Sequence, residues 1–413
     1  MDSGDIAWVL VSAALVLFMT PGLAFFYGGM DRSRNVLNML MMNFWCLLII
    51  PVLWVVVGYS IAGGDFDAGW FGGFDAVMLK NVDIGGESVG TLLTIAFLGM
   101  FAVITPALIS GAVADRMKFS AWAIFAPVWM LLVFCPVFKW VYGGWLGVRG
   151  SLDFAGGTAI HVNAGIAALV AVLILGKRRG WPTEGQPPHS MPLVMIGTGI
   201  LWFGWFGFNA GSALGANGQA VQAFMNTFLA AAAAGLAWAV VERIRDGHFT
   251  NLGAASGIVA GLVAITPACG FVTTASSIWI GLAAGVICCF AVRVKFKAGF
   301  DDALDVVGVH FVGGLVGSLM IGLFADAAYF QKWNPEVSHM SGLFNGGGLR
   351  LLGEQALANG ATIIYSGIVT ALILLALKAT MGIRVSEEVE TTGLDAEEHA
   401  ETAYHSGDFA MVR

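Results

Sequence analysis

Residues 91–113 read TLLTIAFLGMFAVITPALISGAV, 23 residues without one Asp, Glu, Lys or Arg. At 1.5 Å per residue a helix of that length crosses the ~30 Å hydrocarbon core of a bilayer. Ten further apolar windows accompany it, at 7–27, 37–62, 120–142, 158–175, 192–212, 219–241, 252–270, 275–293, 303–325 and 357–381. Hydrophobic residues make up 58% of the 413, and charged residues only 11%, where a soluble domain carries about 25%. Such an excess cannot be hidden in one soluble core, so the chain is expected to be an all-α polytopic membrane protein with eleven transmembrane helices. A transmembrane barrel would show ~10-residue alternating segments, and a nucleic-acid binder a basic stripe. Neither is present, and the net charge is −7.

The loops orient the chain. With the N-terminus outside, the inward loops and tail hold Arg32, Arg34, Arg116, Lys118, Lys177, Arg178, Arg179, Arg243, Arg245, Arg293, Lys295, Lys297, Lys378, Arg384 and Arg413, 15 of the 20 basic residues. Lys80, Lys139, Arg149, Lys332 and Arg350 remain outside. The positive-inside rule therefore predicts N-out and C-in. The acidic start, Asp2 and Asp5, agrees, because a secretory signal places positive charge there.

The opening segment also carries half of a repeat. Thr105-Pro106-Ala107 recurs as Thr266-Pro267-Ala268, 161 residues later. Asp153 stands eight residues before His161, and Asp302 eight before His310, a spacing of 149 between the pairs. Small residues follow each His: Asn163-Ala164-Gly165 and Gly313-Gly314. Two pairs in the same order predict an inverted five-helix repeat plus one extra helix: 7–175, then 192–325, then 357–381, all within a transmembrane domain 1–383. Five is odd, so the second copy enters the membrane from the other side. Inverted repeats place a substrate path at the interface of the halves, near the midplane.

Of seven histidines, His189, His248, His339, His399 and His405 fall in loops or the tail, and only His161 and His310 fall within spans. Each sits roughly 8–12 Å along its helix from the nearer membrane surface. The two helices run antiparallel, so the imidazoles can meet at one depth. Ionisable residues so deep usually line a bundle interior or a polar path, with helix-to-helix hydrogen bonding as the alternative. Two neutral imidazoles can share one hydrogen bond and stay uncharged while offering polar atoms to a small passing molecule. No third or fourth donor accompanies them, and the five cysteines lack CxxC spacing, so neither a metal site nor a cofactor is expected.

Several segments resemble the Amt/Mep/Rh ammonium transporters, the bacterial branch in particular. They are Phe18-Met19-Thr20-Pro21-Gly22 with Tyr27-Gly28-Gly29, Ile104-Thr105-Pro106-Ala107-Leu108-Ile109, and Leu152-Asp153-Phe154-Ala155-Gly156-Gly157 running to His161. Gly204 to Ser212, Thr266-Pro267-Ala268-Cys269-Gly270 and Asp305-Val306-Val307-Gly308-Val309-His310 complete the set, in family order over nearly the whole chain. The resemblance implies a homotrimer in the cell membrane with one pore per subunit, transporting ammonium or ammonia and acting as no enzyme. It implies a twin-histidine pore at His161 and His310 and a stacked aromatic gate of Phe101 and Phe208. It also implies an outer recognition site at Ser212, with Phe101 and Tyr142 as its aromatic walls and Asp153 shaping it.

The pattern breaks in one place. Where the family has His-Trp-x-Trp at the outer end of the fourth span, this sequence reads Lys139-Trp140-Val141-Tyr142. Tyr142 offers a smaller π face than Trp, Lys139 adds positive charge near a mouth that should attract cations, and Trp145 is a steric substitute for the missing ring. Residues 384–413 turn polar and acidic, with Ala400 in place of the family's Gly. They resemble the family's cytosolic regulatory tail, with which PII signalling proteins interact; a solvated acidic tail is the alternative. Two other readings remain on the sequence: an ammonium receptor of the same fold, and a neutral-gas channel of the Rh type.

Overall fold

The computed structural model describes residues 1–63, 70–83, 89–333 and 340–404, so His339, His405 and tail positions 405–413 lie outside the described residues. Among the described residues the chain is helical, with β-type pairing confined to two isolated bridges, Met117 with Arg384 and Val272 with Ala325. The eleven expected spans appear as α1 (Ser3–Met30), α2 (Val36–Gly63), α3 (Val89–Val113), α4 (119–141), α5 (Gly157–Leu175), α6 (Met191–Gly211), α7 (Gly218–Asp246), α8 (Asn251–Ile265), α9 (Thr274–Ala291), α10 (Val307–Phe324) and α11 (Arg350–Thr380). Ten of these positions carry helices long and apolar enough to cross a membrane.

The exception is α8, whose 15 residues stop at Ile265, short of the expected 270. Thr266 keeps helical angles and its bond to Leu262 O, but Pro267 has no N–H for the helical ladder, and the chain turns through 266–271. The same tripeptide sits inside the unbroken α3, whose Pro106 the helix accommodates. What the two copies share is the threonine. Thr105 Oγ1 donates to Phe101 O at 2.6 Å and Thr266 Oγ1 to Leu262 O at 2.7 Å, each four residues back.

Packing follows the paired motifs. Helix α3 lies on α1, α2 and α5, and α8 lies on α6, α7 and α10, the same arrangement five helices later. Helices α1 and α6, first of each set, pack along each other. Prolines explain two local irregularities: Pro51 and Pro127 each precede a π-helical turn, at Trp54–Gly58 and Met130–Phe134. A missing donor shifts the next bonds by one residue, and the ladder widens there.

Basic loops gather at one end of the bundle, called here the basic face. Arg178 bonds Asp301 and Asp115 there, Arg384 bonds Glu390, and Arg293 and Arg245 share Asp246. The acidic tail packs on this face and forms α12 (Glu387–Thr392) and α13 (Leu394–His399). Helix α2 has no side-chain cap of its own at Asn35. The tail supplies one: Asp395 accepts the amides of Asn38 (2.8 Å) and Leu37 (3.1 Å), while Asn35 Oδ1 accepts Leu394 N at 2.9 Å. A freely solvated tail is thereby excluded as far as residue 404. Ala400 closes α13 in the left-handed region, at φ 53°.

Candidate functional site

The spacing of eight between Asp and His has a local cause. Asp153 ends the loop before α5 and accepts four backbone amides: Gly156 (2.8 Å) and Gly157 (2.7 Å) on Oδ1, Thr158 (2.8 Å) and Ala159 (3.1 Å) on Oδ2. Asp302 does the same for α10, taking Val306 N at 3.1 Å and Val307 N at 2.7 Å. Each carboxylate satisfies the orphan donors of a helix that starts inside the bundle. Each of those helices opens with a π-turn, Gly157–Val162 and Val307–Phe311, and each π-turn carries the histidine.

Glycine lets the two helices cross closely. A Cβ on Gly165 would stand 2.5 Å from Phe311 Cα, and one on Gly314 would meet His161 Cβ at 3.1 Å and Gly157 O at 3.0 Å. These are the small residues that follow each histidine, and their smallness sets the separation of the rings. His161 Nδ1 and His310 Nδ1 lie 3.2 Å apart, with rings 18° from parallel. One nitrogen donates and the other accepts in a neutral pair. On the far side of His310, Nε2 stands 3.4 Å from the Tyr27 hydroxyl, which reaches Leu108 O at 3.1 Å. His161 Nε2 is buried and meets no protein partner.

Met19, Leu23, Ile104, Leu108, Ile160, Leu201, Trp205, Phe208 and Val259 line a cavity with the two histidines. The space open to the centre of a water-sized molecule is only about 10 Å³, room for roughly one such molecule. Trp205 stacks on His161 at 5.5 Å between centroids, its Nε1 fixed by Thr266 Oγ1 at 2.7 Å. Above it Phe208 stacks on Phe101, centroids 4.3 Å apart and planes 29° from parallel.

On the other side of that ring pair is a wider chamber lined by Tyr59, Phe97, Phe101, Phe138, Tyr142, Phe154, Ala155 and Ser212, among others. Ser212 Oγ donates to Phe208 O at 2.8 Å, so it turns its lone pairs to the chamber. Tyr142 leans on Phe138, centroids 4.6 Å apart. The structure thus gathers Phe101, Tyr142 and Ser212 around one space, with Phe208 beneath it. Asp153 is not in the lining; it faces the backbone amides of α5, and its neighbours Phe154 and Ala155 line the chamber. Trp145 does not replace the missing ring, since it stacks on Trp70 at 5.2 Å and packs against Trp140. Tyr27, Trp205 and Phe97 were not among the sequence-derived site residues, although Tyr27 and Trp205 lie in the quoted motifs.

Below the cavity, at the basic face, charge is concentrated. Burial alone would raise Asp301, but the bond and charge of Arg178 hold it below the usual carboxylate range. Burial raises Asp302 to about 6, with Lys295 opposing. Lys295 Nζ bonds Asp302 O at 2.8 Å and Asp305 Oδ1 at 2.6 Å. Among the described residues no group of three His, Cys, Asp or Glu side chains is arranged to hold a metal ion.

The chain is similar to known proteins over its length. An ammonium transporter of Mycobacterium tuberculosis H37Rv is 51% identical over 442 aligned residues, covering 100% of this chain and 91% of that one. The crystal structure of Mep2 from Saccharomyces cerevisiae superposes with a TM-score of 0.86 at 35% identity, over 94% of this chain and 88% of that one. A structure described as a sensor Amt protein superposes with a TM-score of 0.88 at 28% identity, over 96% and 98%. The sequence model of the Ammonium Transporter Family matches residues 7–404, and with these relatives it shows that this multi-pass membrane chain belongs to the Ammonium Transporter Family, a family of transporters rather than enzymes.

Proposed function

We propose that the protein moves ammonium into the cell by recognising the ion in the aromatic chamber, removing a proton there, and passing ammonia by the two histidines. The basic face is then cytosolic, residues 1–383 are the transport domain, and residues 384–413 are a regulatory tail. The observation that carries this reading is the imidazole pair, in contact at 3.2 Å and set in an apolar cavity closed by two stacked phenylalanines. Ammonium has a charge and four donors. Ser212 presents an acceptor, and the faces of Phe101 and Tyr142 attract the charge by about 0.5–2 kcal/mol each. Potassium has similar charge and no donors, so discrimination rests on the hydroxyl and the imidazoles. A cavity with so little room for water disfavours the intact cation and admits the neutral molecule.

A homotrimer in the bilayer fits the exposed apolar side chains Val221, Phe224, Met225 and Phe228 along α7, and a PII-type regulator fits the docked tail, which presents the basic face's only acidic helices among the described residues. The sensor reading draws on the likeness to the sensor Amt protein. One experiment separates them: proteoliposomes given ammonium, methylammonium or potassium at several pH values, read by current and by uptake. Saturable ammonium current with none for potassium supports transport. Binding of ammonium with no flux supports the sensor, and equal permeation of ammonium and potassium overturns both the pore mechanism and the chamber's role.

A further inference from the structure

Tyr27 lies in the last turn of α1, buried, its ring held against α3 where a Cβ on Gly111 would stand 2.6 Å from Cζ. Its hydroxyl belongs to a row of polar atoms: Leu108 O at 3.1 Å, Tyr27 Oη, His310 Nε2 at 3.4 Å, and then His310 Nδ1 against His161 Nδ1 at 3.2 Å. His161 Nε2 ends the row, buried and without a protein partner. The hydrogens along it can be ordered one by one. A carbonyl oxygen only accepts, so the bond to Leu108 O takes the single hydrogen of the Tyr27 hydroxyl. Tyr27 Oη then accepts from His310, whose hydrogen is on Nε2. A neutral imidazole has one hydrogen, so His310 Nδ1 is bare and accepts from His161 Nδ1. That leaves a lone pair on His161 Nε2, at a ring that lines the cavity.

The reverse order is poorer at both ends. It leaves Tyr27 Oη and Leu108 O 3.1 Å apart with no hydrogen between them, and it puts an N–H on His161 Nε2, where no protein acceptor stands among the described residues. A buried N–H without an acceptor is a rarer and costlier state than an acceptor with a spare lone pair. The indole N–H of Trp205, whose ring stacks on His161, is given to Thr266 Oγ1, so it does not occupy that lone pair. We propose that Tyr27 is a positioning residue: by accepting the hydrogen on His310 Nε2 it sets the tautomers of both histidines, so that His161 meets the passing molecule with a bare Nε2, an acceptor for one N–H of ammonia. The identity of that molecule rests on the transport reading above; the order of the hydrogens does not. A species without N–H or O–H donors gains nothing from this atom, so the tautomer adds to selection at the ring itself.

The test is solid-state nitrogen NMR of the full-length protein in lipid vesicles, with isotope-labelled histidines assigned through Ile160 and Val309, and ammonium flux measured in the same vesicles. Expected in wild type is a hydrogen on Nδ1 of His161 and on Nε2 of His310, the latter with a through-space signal to Tyr27 Cζ. In Tyr27→Phe both tautomers should appear at each ring, and ammonium flux should fall about two- to tenfold, the range of one neutral hydrogen bond. A wild-type hydrogen on Nε2 of His161, or no signal between His310 and Tyr27, overturns the proposal without any variant, as does an unchanged order in Tyr27→Phe. Tautomers that mix as expected with an unchanged flux overturn the acceptor role of His161 Nε2. Wild-type vesicles with the expected order and no ammonium flux would instead overturn the transport reading and leave the role of Tyr27 standing.

Discussion

His161 and His310 face each other Nδ1 to Nδ1 at 3.2 Å, although 149 residues separate them in the chain. Their contact depends on two capped π-turns and two glycines rather than on either ring. Replacing both with leucine keeps the volume apolar and removes all four ring nitrogens. The variant should lose its preference for ammonium over potassium by about tenfold or more, the equivalent of one charge-assisted hydrogen bond. Reversal potentials in mixed-cation gradients measure it; unchanged selectivity would remove the histidines from the mechanism.

Tyr142 faces the chamber that contains Ser212. Tyr142→Trp enlarges the π face offered to a cation, so the apparent affinity for ammonium should rise about two- to fivefold, within a ~0.5–1 kcal/mol gain. Concentration dependence of the current checks this. A weaker affinity would place the ion elsewhere in the chamber.

Asp153 is buried and takes four backbone amides. Asp153→Ala should destabilise the protein by about 2 kcal/mol or more, beyond an ordinary exposed cap, whereas Asp153→Asn retains one acceptor oxygen and should cost less. Thermal unfolding in detergent gives the order. If ammonium affinity changed in Asp153→Asn with stability intact, the carboxylate would have a direct role at the ion.

Ala400 holds a left-handed backbone at φ 53°, which costs a non-glycine residue about 1 kcal/mol. Ala400→Gly should strengthen tail docking by about that amount, after the added freedom of the undocked chain is subtracted. Slower amide exchange at residues 394–400 would show it.

Tail docking should also respond to pH through His399, whose Nε2 bonds Asn38 Oδ1 at 2.9 Å. Burial lowers its pKa, against smaller opposing contributions from Asp395, Glu398 and Glu401. The docked tail therefore binds fewer protons than a released one, for which the histidine titrates near ~6.5. Docking is at full strength above that value and weakens as pH falls through it toward the lowered one. Amide exchange of residues 387–404 between pH 7.5 and 5.5 measures the change, and His399→Gln should flatten it.

Much of this was legible in the sequence. The long apolar runs and sparse charge mark the helices, and the doubled Asp-to-His spacing points at the two imidazoles that meet. The same spacing concealed why the aspartates are there. A carboxylate eight residues ahead of an intramembrane histidine reads as part of a binding site, whereas in the fold it is turned to the backbone amides. The end of α8 was hidden because Thr-Pro-Ala breaks one helix and not the other, a choice made by packing. Trp145 matched the need for a ring by proximity in sequence, yet Trp70 claims its face.

Asp395 completes the first turn of α2, a helix whose own residues emerged more than 350 positions earlier during synthesis. A chain cut short before Leu394 would keep all eleven helices yet leave the amides of Leu37 and Asn38 without the acceptor that Asp395 brings them.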